Sequence, residues 1–80
     1  MRALIEALAK SGIPARLTTD DGRQAVRASH PRIPVSTTLV AEVYEGRPWL
    51  LNEWGAPLCP AGDTSTAVAY VSRLLDQHVR

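Results

Sequence analysis

The segment GRPWLLNEWG (46–55) decides how the sheet of this chain is built. It contains both tryptophans, Trp49 and Trp54, and it follows a stretch rich in β-branched residues, VSTTLVAEVY (35–44). Such residues favour strands, and the dipeptide Glu45-Gly46 between the two stretches is typical of a turn. We therefore predict a hairpin in which the tryptophan segment returns alongside the preceding strand.

With Glu45-Gly46 as its loop, this hairpin has large apolar side chains on both faces, because successive strand residues point to opposite sides. One face is assigned to a core beneath the helices, and it carries Leu39, Ala41, Val43, Leu50 and Trp54. We call the other face the open face; it carries Val40, Tyr44, Trp49 and Leu51, together with Glu42.

A second hairpin is predicted upstream, in ARLTTDDGRQAVRA (15–28). The dipeptide Asp21-Gly22 is a strong signal for a two-residue hairpin loop. The resulting register places Asp20 opposite Arg23, Leu17 opposite Val26 and Arg16 opposite Arg27.

Helices are predicted at both ends of the chain. Apolar residues at helical spacing indicate a first helix over 2–11, and Gly12 should end it with Ile13 folded back on Leu8. Asp63 is a good N-cap for a final helix that extends to residue 79. The segments SHPRIP (29–34) and GAPLCPAG (55–62) are expected to be loops, because prolines interrupt regular structure.

The order of these elements predicts one small α+β domain over residues 1–80. Its architecture is a helix, four antiparallel strands in two hairpins and a helix, with both helices on one face of the sheet. The sequence leaves open whether the two hairpins form one sheet. Pro48 near the start of the last strand favours an edge position for that strand.

Composition narrows the class of protein. The net charge is +1, and no apolar run is long enough to span a bilayer. Glu6 and Lys10 interrupt the first apolar segment, so a signal peptide is not expected. The single cysteine excludes an intramolecular disulfide and fits a reducing compartment, which favours a cytoplasmic location. Lys10 is the one lysine among nine basic residues, a bias typical of a GC-rich bacterial genome.

The apolar side chains of the open face suggest the function. Val40, Tyr44, Trp49 and Leu51, exposed together, would form a patch that monomeric proteins seldom carry. The leading hypothesis is therefore a non-catalytic interaction module that binds a partner protein or forms a homodimer through this face. The alternative is that the final helix or the proline-rich segment 55–62 folds over it.

A second hypothesis is nucleic-acid binding. Arg16, Arg23 and Arg27 share one face of the first hairpin, Arg32 follows it, and Trp49 could stack on a base. The competing interpretation treats these arginines as ordinary solvated positions, with Arg23 paired to Asp20.

No pattern in the chain indicates catalysis, so we expect no enzyme activity, no metal and no cofactor. His30 and His78 lack a neighbouring nucleophile in the sequence, and Cys59 is best explained as a small buried hydrophobe. A small-ligand or haem site near Cys59 and His30 is the third hypothesis.

Overall fold

The computed structural model describes residues 1–77. Five strands form one antiparallel sheet in chain order, and two helices contact it. The predicted α+β class is confirmed, and β2 pairs with β3, so the two hairpins belong to one sheet. The elements are α1 (Arg2–Lys10), β1 (Ala15–Asp20), β2 (Arg23–Ser29), β3 (Ser36–Tyr44), β4 (Arg47–Leu51), β5 (Pro57–Pro60) and α2 (Thr64–Asp76).

The two predicted hairpin loops form, and they fix the strand register. Asp21 and Gly22 have φ values of 54° and 80°, and Glu45 and Gly46 have values of 51° and 77°. Positive φ at both central residues is the signature of the type I′ turn, whose twist matches that of the strands. The predicted registers are confirmed, with Asp20 opposite Arg23 in the first hairpin and Tyr44 opposite Arg47 in the second.

The fifth strand was not expected. Residues 57–60 lie in the segment predicted as a loop, yet they pair with β4, and Cys59 lies opposite Leu50. Pro57 and Pro60 are compatible with this strand because it is the last in the sheet, and prolines in sheets occur mainly on edge strands. The sheet therefore has one strand more than predicted.

The fifth strand also means that Pro48 does not lie on an edge strand. β4 lies between β3 and β5, so the predicted edge position of this strand is wrong. Pro48 is tolerated near the start of β4, and its carbonyl oxygen accepts a hydrogen bond from the Ala61 amide at 3.0 Å. The missing N–H of proline thus falls at a place where the neighbouring strand has already ended.

The predicted helix ends are largely confirmed. The Ile13 amide donates to the Leu8 carbonyl at 2.9 Å, and Gly12 has a φ of 78°, as a Schellman ending requires. At the other helix, the Asp63 carboxylate accepts from the Thr66 amide at 3.2 Å and from its hydroxyl at 2.7 Å. The predicted extension of α2 through residues 78–79 lies outside the described residues.

The main core joins both helices to alternate positions of the sheet. Leu4 and Leu8 of α1 meet Val71 of α2 within one cluster of buried side chains. The sheet contributes Val26, Ala28, Leu39, Leu50 and Cys59. Thr37 is buried beside them, and its hydroxyl has no hydrogen-bond partner among the described residues.

Two residues assigned to this core are exposed instead, Trp54 at 72% and Val43 at 66%. β4 ends at Leu51, and the Asn52 side chain accepts the amides of Trp54 and Ala56, both at 3.0 Å. This turn ends the strand before Trp54 is reached, so Trp54 lies in the loop between β4 and β5. Val43 lies one residue from the end of β3, opposite the exposed Pro48. The core assignment of these two residues is therefore wrong.

Candidate interaction surface

The strand register arranges the open face as cross-strand rows. The central row is Thr18, Ala25, Val40 and Leu51, and the charged row beside it is Asp20, Arg23, Glu42 and Trp49. On the far side of the central row lie Arg16, Arg27 and Thr38, and the turn end carries Tyr44 opposite Arg47.

The central row is buried within the single chain. Val40 and Leu51 are only 4% and 3% exposed, and they form a small cluster with Ala25. The long side chains of the charged row lie next to them, because residues two apart on a strand share a face. The expectation that Val40 and Leu51 form an exposed patch is therefore wrong, and a role in partner binding for these two residues stays a prediction.

The accessible aromatic side chains of the open face line a cleft at the turn end of the β3–β4 hairpin. It encloses about 530 Å³ and is lined by Tyr44, Glu45, Arg47, Trp49 and Pro57. The tight turn brings Tyr44 opposite Arg47, and Trp49 follows on the same side of β4. Tyr44 is exposed and Trp49 is half-buried. The cleft thus combines two aromatic rings with one cation and one carboxylate.

An ion pair borders this cleft. Arg23 Nη1 donates to Glu42 Oε2 at 2.6 Å, and Arg23 Nη2 lies 3.5 Å from Asp20 Oδ2. The hydrogen bond from Glu42 raises the pKa of the Arg23 guanidinium above its ordinary value, with smaller contributions from the other nearby carboxylates. Glu42 is in turn directly opposite Trp49. Arg23 is therefore engaged by acidic side chains of its own chain.

The other predicted nucleic-acid-binding residues lie elsewhere. Arg16 is opposite Arg27, both are exposed, and no carboxylate of residues 1–77 forms a salt bridge with either. Their row is separated from the row of Trp49 by about 13 Å along the strands. Arg32 is exposed in the connection between β2 and β3. The structure brings Arg16 and Arg27 together but does not place them beside Trp49.

His30 and Cys59 do not form a common site. His30 Nδ1 accepts the amides of Arg32 at 3.0 Å and Ile33 at 3.2 Å, which stabilises the turn between β2 and β3. Cys59 is buried in the main core on β5, and strands β3 and β4 lie between. Burial raises the pKa of the Cys59 thiol, and the charge of Asp63 adds to this effect. Residues 1–77 contain no group of three or more side chains able to hold a metal ion.

Three residues of the cleft were not singled out from the sequence as binding residues, namely Glu45, Arg47 and Pro57. The hairpin register already placed Arg47 opposite Tyr44, so the sequence held the signal for that residue. Pro57 lines the cleft only because β5 pairs with β4. The prolines of this segment led to the prediction of a loop there, so the strand was not predicted. The cleft is therefore partly a product of pairing that local patterns do not show.

No helix within residues 1–77 is long and apolar enough to cross a membrane. Comparison of the chain with protein-family models, with curated proteins and with solved structures finds no match.

Proposed function

We propose that the chain is a non-catalytic interaction module that self-associates, or binds a partner protein, through the open face with Trp49 and Tyr44 as anchors. We infer that both helices cover the opposite face, since one buried cluster contains side chains from α1, α2 and one set of alternate strand positions. The open face would then have no helix above it.

The observation that carries the proposal is the cleft around Trp49. Binding energy at protein interfaces concentrates in a few residues, and tryptophan, tyrosine and arginine are enriched among them. The cleft contains one residue of each of these three types, namely Trp49, Tyr44 and Arg47. Large aromatic side chains also lose little conformational freedom on binding, since they have few rotatable bonds.

The charges at the rim of the cleft favour a second copy of this chain as the occupant. Glu45 and Arg47 flank the aromatic rings with opposite charges. A two-fold axis that passes between Glu45 and Arg47 would set Arg47 of one copy against Glu45 of the other, since both copies use the same patch in a symmetric dimer. The interface would then have an apolar centre and a polar rim, as protein interfaces usually do.

The two tryptophans allow a matched experiment. In Trp54→Phe the only indole is Trp49, and in Trp49→Phe the only indole is Trp54. Raising the protein concentration should shift the fluorescence of Trp49 to the blue as the cleft becomes covered. The fluorescence of Trp54, which is 72% exposed, should stay unchanged. Equal behaviour of the two variants would contradict the proposal.

The second candidate function is nucleic-acid binding, and the observation that favours it is the exposed Arg16–Arg27 pair. Against it stands the carboxylate of Glu42 between Arg23 and Trp49. Titration of a labelled single-stranded oligonucleotide at several salt concentrations tests it, since phosphate contacts give a linear fall of log K with log salt. The double variant Arg16→Ala/Arg27→Ala should reduce that slope, and absence of binding at low salt would eliminate this function.

A further inference from the structure

The two edges of the sheet differ in their ability to pair with another strand. The edge strand β5 contains Pro57 and Pro60, and prolines weaken an edge by removing N–H donors. The other edge strand, β1, is six residues long and contains no proline. Its side chains are exposed or half-buried throughout, although α1 contacts this strand.

The backbone pattern shows which groups of β1 point outward. The Ser29 amide donates to the Pro14 carbonyl at 2.9 Å, which makes residues 14 and 29 a hydrogen-bonded pair. Hydrogen-bonded pairs alternate along an antiparallel ladder, so Arg16, Thr18 and Asp20 also bond to β2. The amides and carbonyls of Leu17 and Thr19 therefore point away from the sheet.

We propose that β1 pairs in antiparallel fashion with β1 of a second copy, about a two-fold axis at Thr18. Leu17 of one copy then lies opposite Thr19 of the other, and these two residues exchange both backbone hydrogen bonds. The two sheets become one continuous sheet. This contact uses a different surface from the cleft around Trp49 and does not depend on it.

Charge complementarity selects this register. Strand residues 16 and 20 lie on the open face, and the axis at Thr18 sets Arg16 of each copy opposite Asp20 of the other. Within one chain, Arg16 faces only the like charge of Arg27, an unfavourable cross-strand pair. In the joined sheet, Asp20 of the second copy lies beside Arg16 of the first. The two-fold symmetry repeats this Arg16–Asp20 pair, so the contact contains two of them.

Leu17 supplies the apolar contact. It is 55% exposed on the side of the sheet that carries the main core, where Val26 is its neighbour. In the proposed register the two copies of Leu17 are diagonal neighbours, about 7–8 Å apart at their backbones, within reach of long side chains.

Other registers lose these features. A shift that sets Leu17 opposite Leu17 places Arg16 against Thr18. The shift in the opposite direction places Arg16 against Gly22. Intermediate registers would oppose outward groups of one strand with inward groups of the other, so no ladder could form.

A charge-swap experiment tests the proposal. Arg16→Asp gives two acidic residues on β1 and Asp20→Arg gives two basic residues, so each variant repels its own copy. We expect each alone to self-associate at least about tenfold more weakly than the unaltered chain in sedimentation equilibrium. An equimolar mixture should regain association, because every acidic residue then faces a basic one. Variants that associate as the unaltered chain does, or a mixture no stronger than its parts, would overturn the proposal.

A second measurement separates the edge from the cleft and from misfolding. Amide hydrogen exchange at Leu17 and Thr19 should slow as the concentration of the unaltered chain rises, since these amides become hydrogen-bonded only in the joined sheet. Thr19→Pro removes one outward donor from each copy and leaves the ladder to β2 intact. It should retain the circular dichroism spectrum and lose this protection of Leu17. Exchange that is independent of concentration up to the millimolar range overturns the proposal.

Discussion

Glu42 lies directly opposite Trp49 in the β3–β4 register, and the same carboxylate binds Arg23 at 2.6 Å. The indole is thus bordered on one side by an internal ion pair and on the other by the charges of Glu45 and Arg47 in the cleft. A phosphate approaching Trp49 would meet the carboxylates of Glu42 and Glu45 as well as the guanidinium of Arg47, whereas an apolar or aromatic surface would meet the rings of the cleft. This arrangement favours a protein over a nucleic acid as the occupant of the open face.

The contrast between Leu50 and Trp54 tests the core assignment. Leu50 is fully buried between β3 and β5, so Leu50→Ala should lower the free energy of unfolding by about 2–5 kcal/mol. Trp54 is exposed in a loop, and Trp54→Ala should change it by less than about 0.5 kcal/mol. Urea denaturation followed by circular dichroism measures both. A larger loss from Trp54→Ala than from Leu50→Ala would show that the loop tryptophan is packed.

Thr37 offers a stabilising substitution. Its hydroxyl is buried in the core without a hydrogen-bond partner, and an unsatisfied buried polar group is unfavourable. Thr37→Val keeps the shape and should raise the free energy of unfolding by about 1 kcal/mol. Thr38→Val, on the opposite face and half-exposed, is the matched control and should have little effect. Destabilisation by Thr37→Val would mean that the Thr37 hydroxyl makes a hydrogen bond in solution.

Asp63 should make the stability of the folded chain depend on pH in the acid range. The hydrogen bonds from the Thr66 side chain and amide lower the pKa of Asp63 below its usual value. A group with a lowered folded pKa contributes its stability above the unfolded pKa, and this contribution is lost as pH falls through the folded pKa. Thermal melts of the unaltered chain and of Asp63→Asn, which keeps an N-cap acceptor without a charge, should therefore converge below about pH 4.

The same comparison has a second control. Asp63→Ala removes the cap at every pH, so its melting temperature should stay below that of Asp63→Asn throughout the titration. Parallel pH curves for the unaltered chain and Asp63→Asn would show that Asp63 does not titrate in the folded protein over this range.

Cys59 should react slowly with thiol reagents. Burial raises the pKa of this thiol, and the reactive species is the thiolate. At neutral pH the folded chain should therefore modify far more slowly than the chain in guanidinium. The reaction rate of the folded chain should rise only at a pH above the pKa of an ordinary cysteine. Equal rates for the folded and unfolded chains would mean that Cys59 is accessible.

Much of the fold followed from local signals in the sequence. Asp21-Gly22 and Glu45-Gly46 fixed two loops, and a two-residue loop determines the register of its hairpin. Gly12 and Asp63 likewise marked the ends of helices through backbone conformation and capping. These features depend on a few neighbouring residues, which is why a single sequence was sufficient for them.

The remaining features depend on contacts between distant residues. β5 exists because Cys59 pairs with Leu50, and nothing local compensates for the prolines on either side. The burial of Val40 and Leu51 accompanies the pairing of β2, β3 and β4, which brings these two residues together with Ala25 in one cluster. Trp54 is different, because Asn52 carried a usable signal: asparagine side chains often bond to backbone amides two residues on and end a strand.

The central claim is that Trp49 anchors association through the open face, and sedimentation equilibrium of three chains tests it most directly. All three carry Thr19→Pro, which removes pairing through β1; one adds Trp49→Ala and another adds Trp54→Ala. We predict that the parent and the Trp54→Ala chain associate alike, and that Trp49→Ala weakens association by about thirtyfold, as expected for an interface anchor. If Trp49→Ala disturbs the fold, Tyr44→Ala takes its place as the test variant, and it should also weaken association. Equal association of all these chains, or a parent that stays monomeric up to millimolar concentration, would contradict the claim.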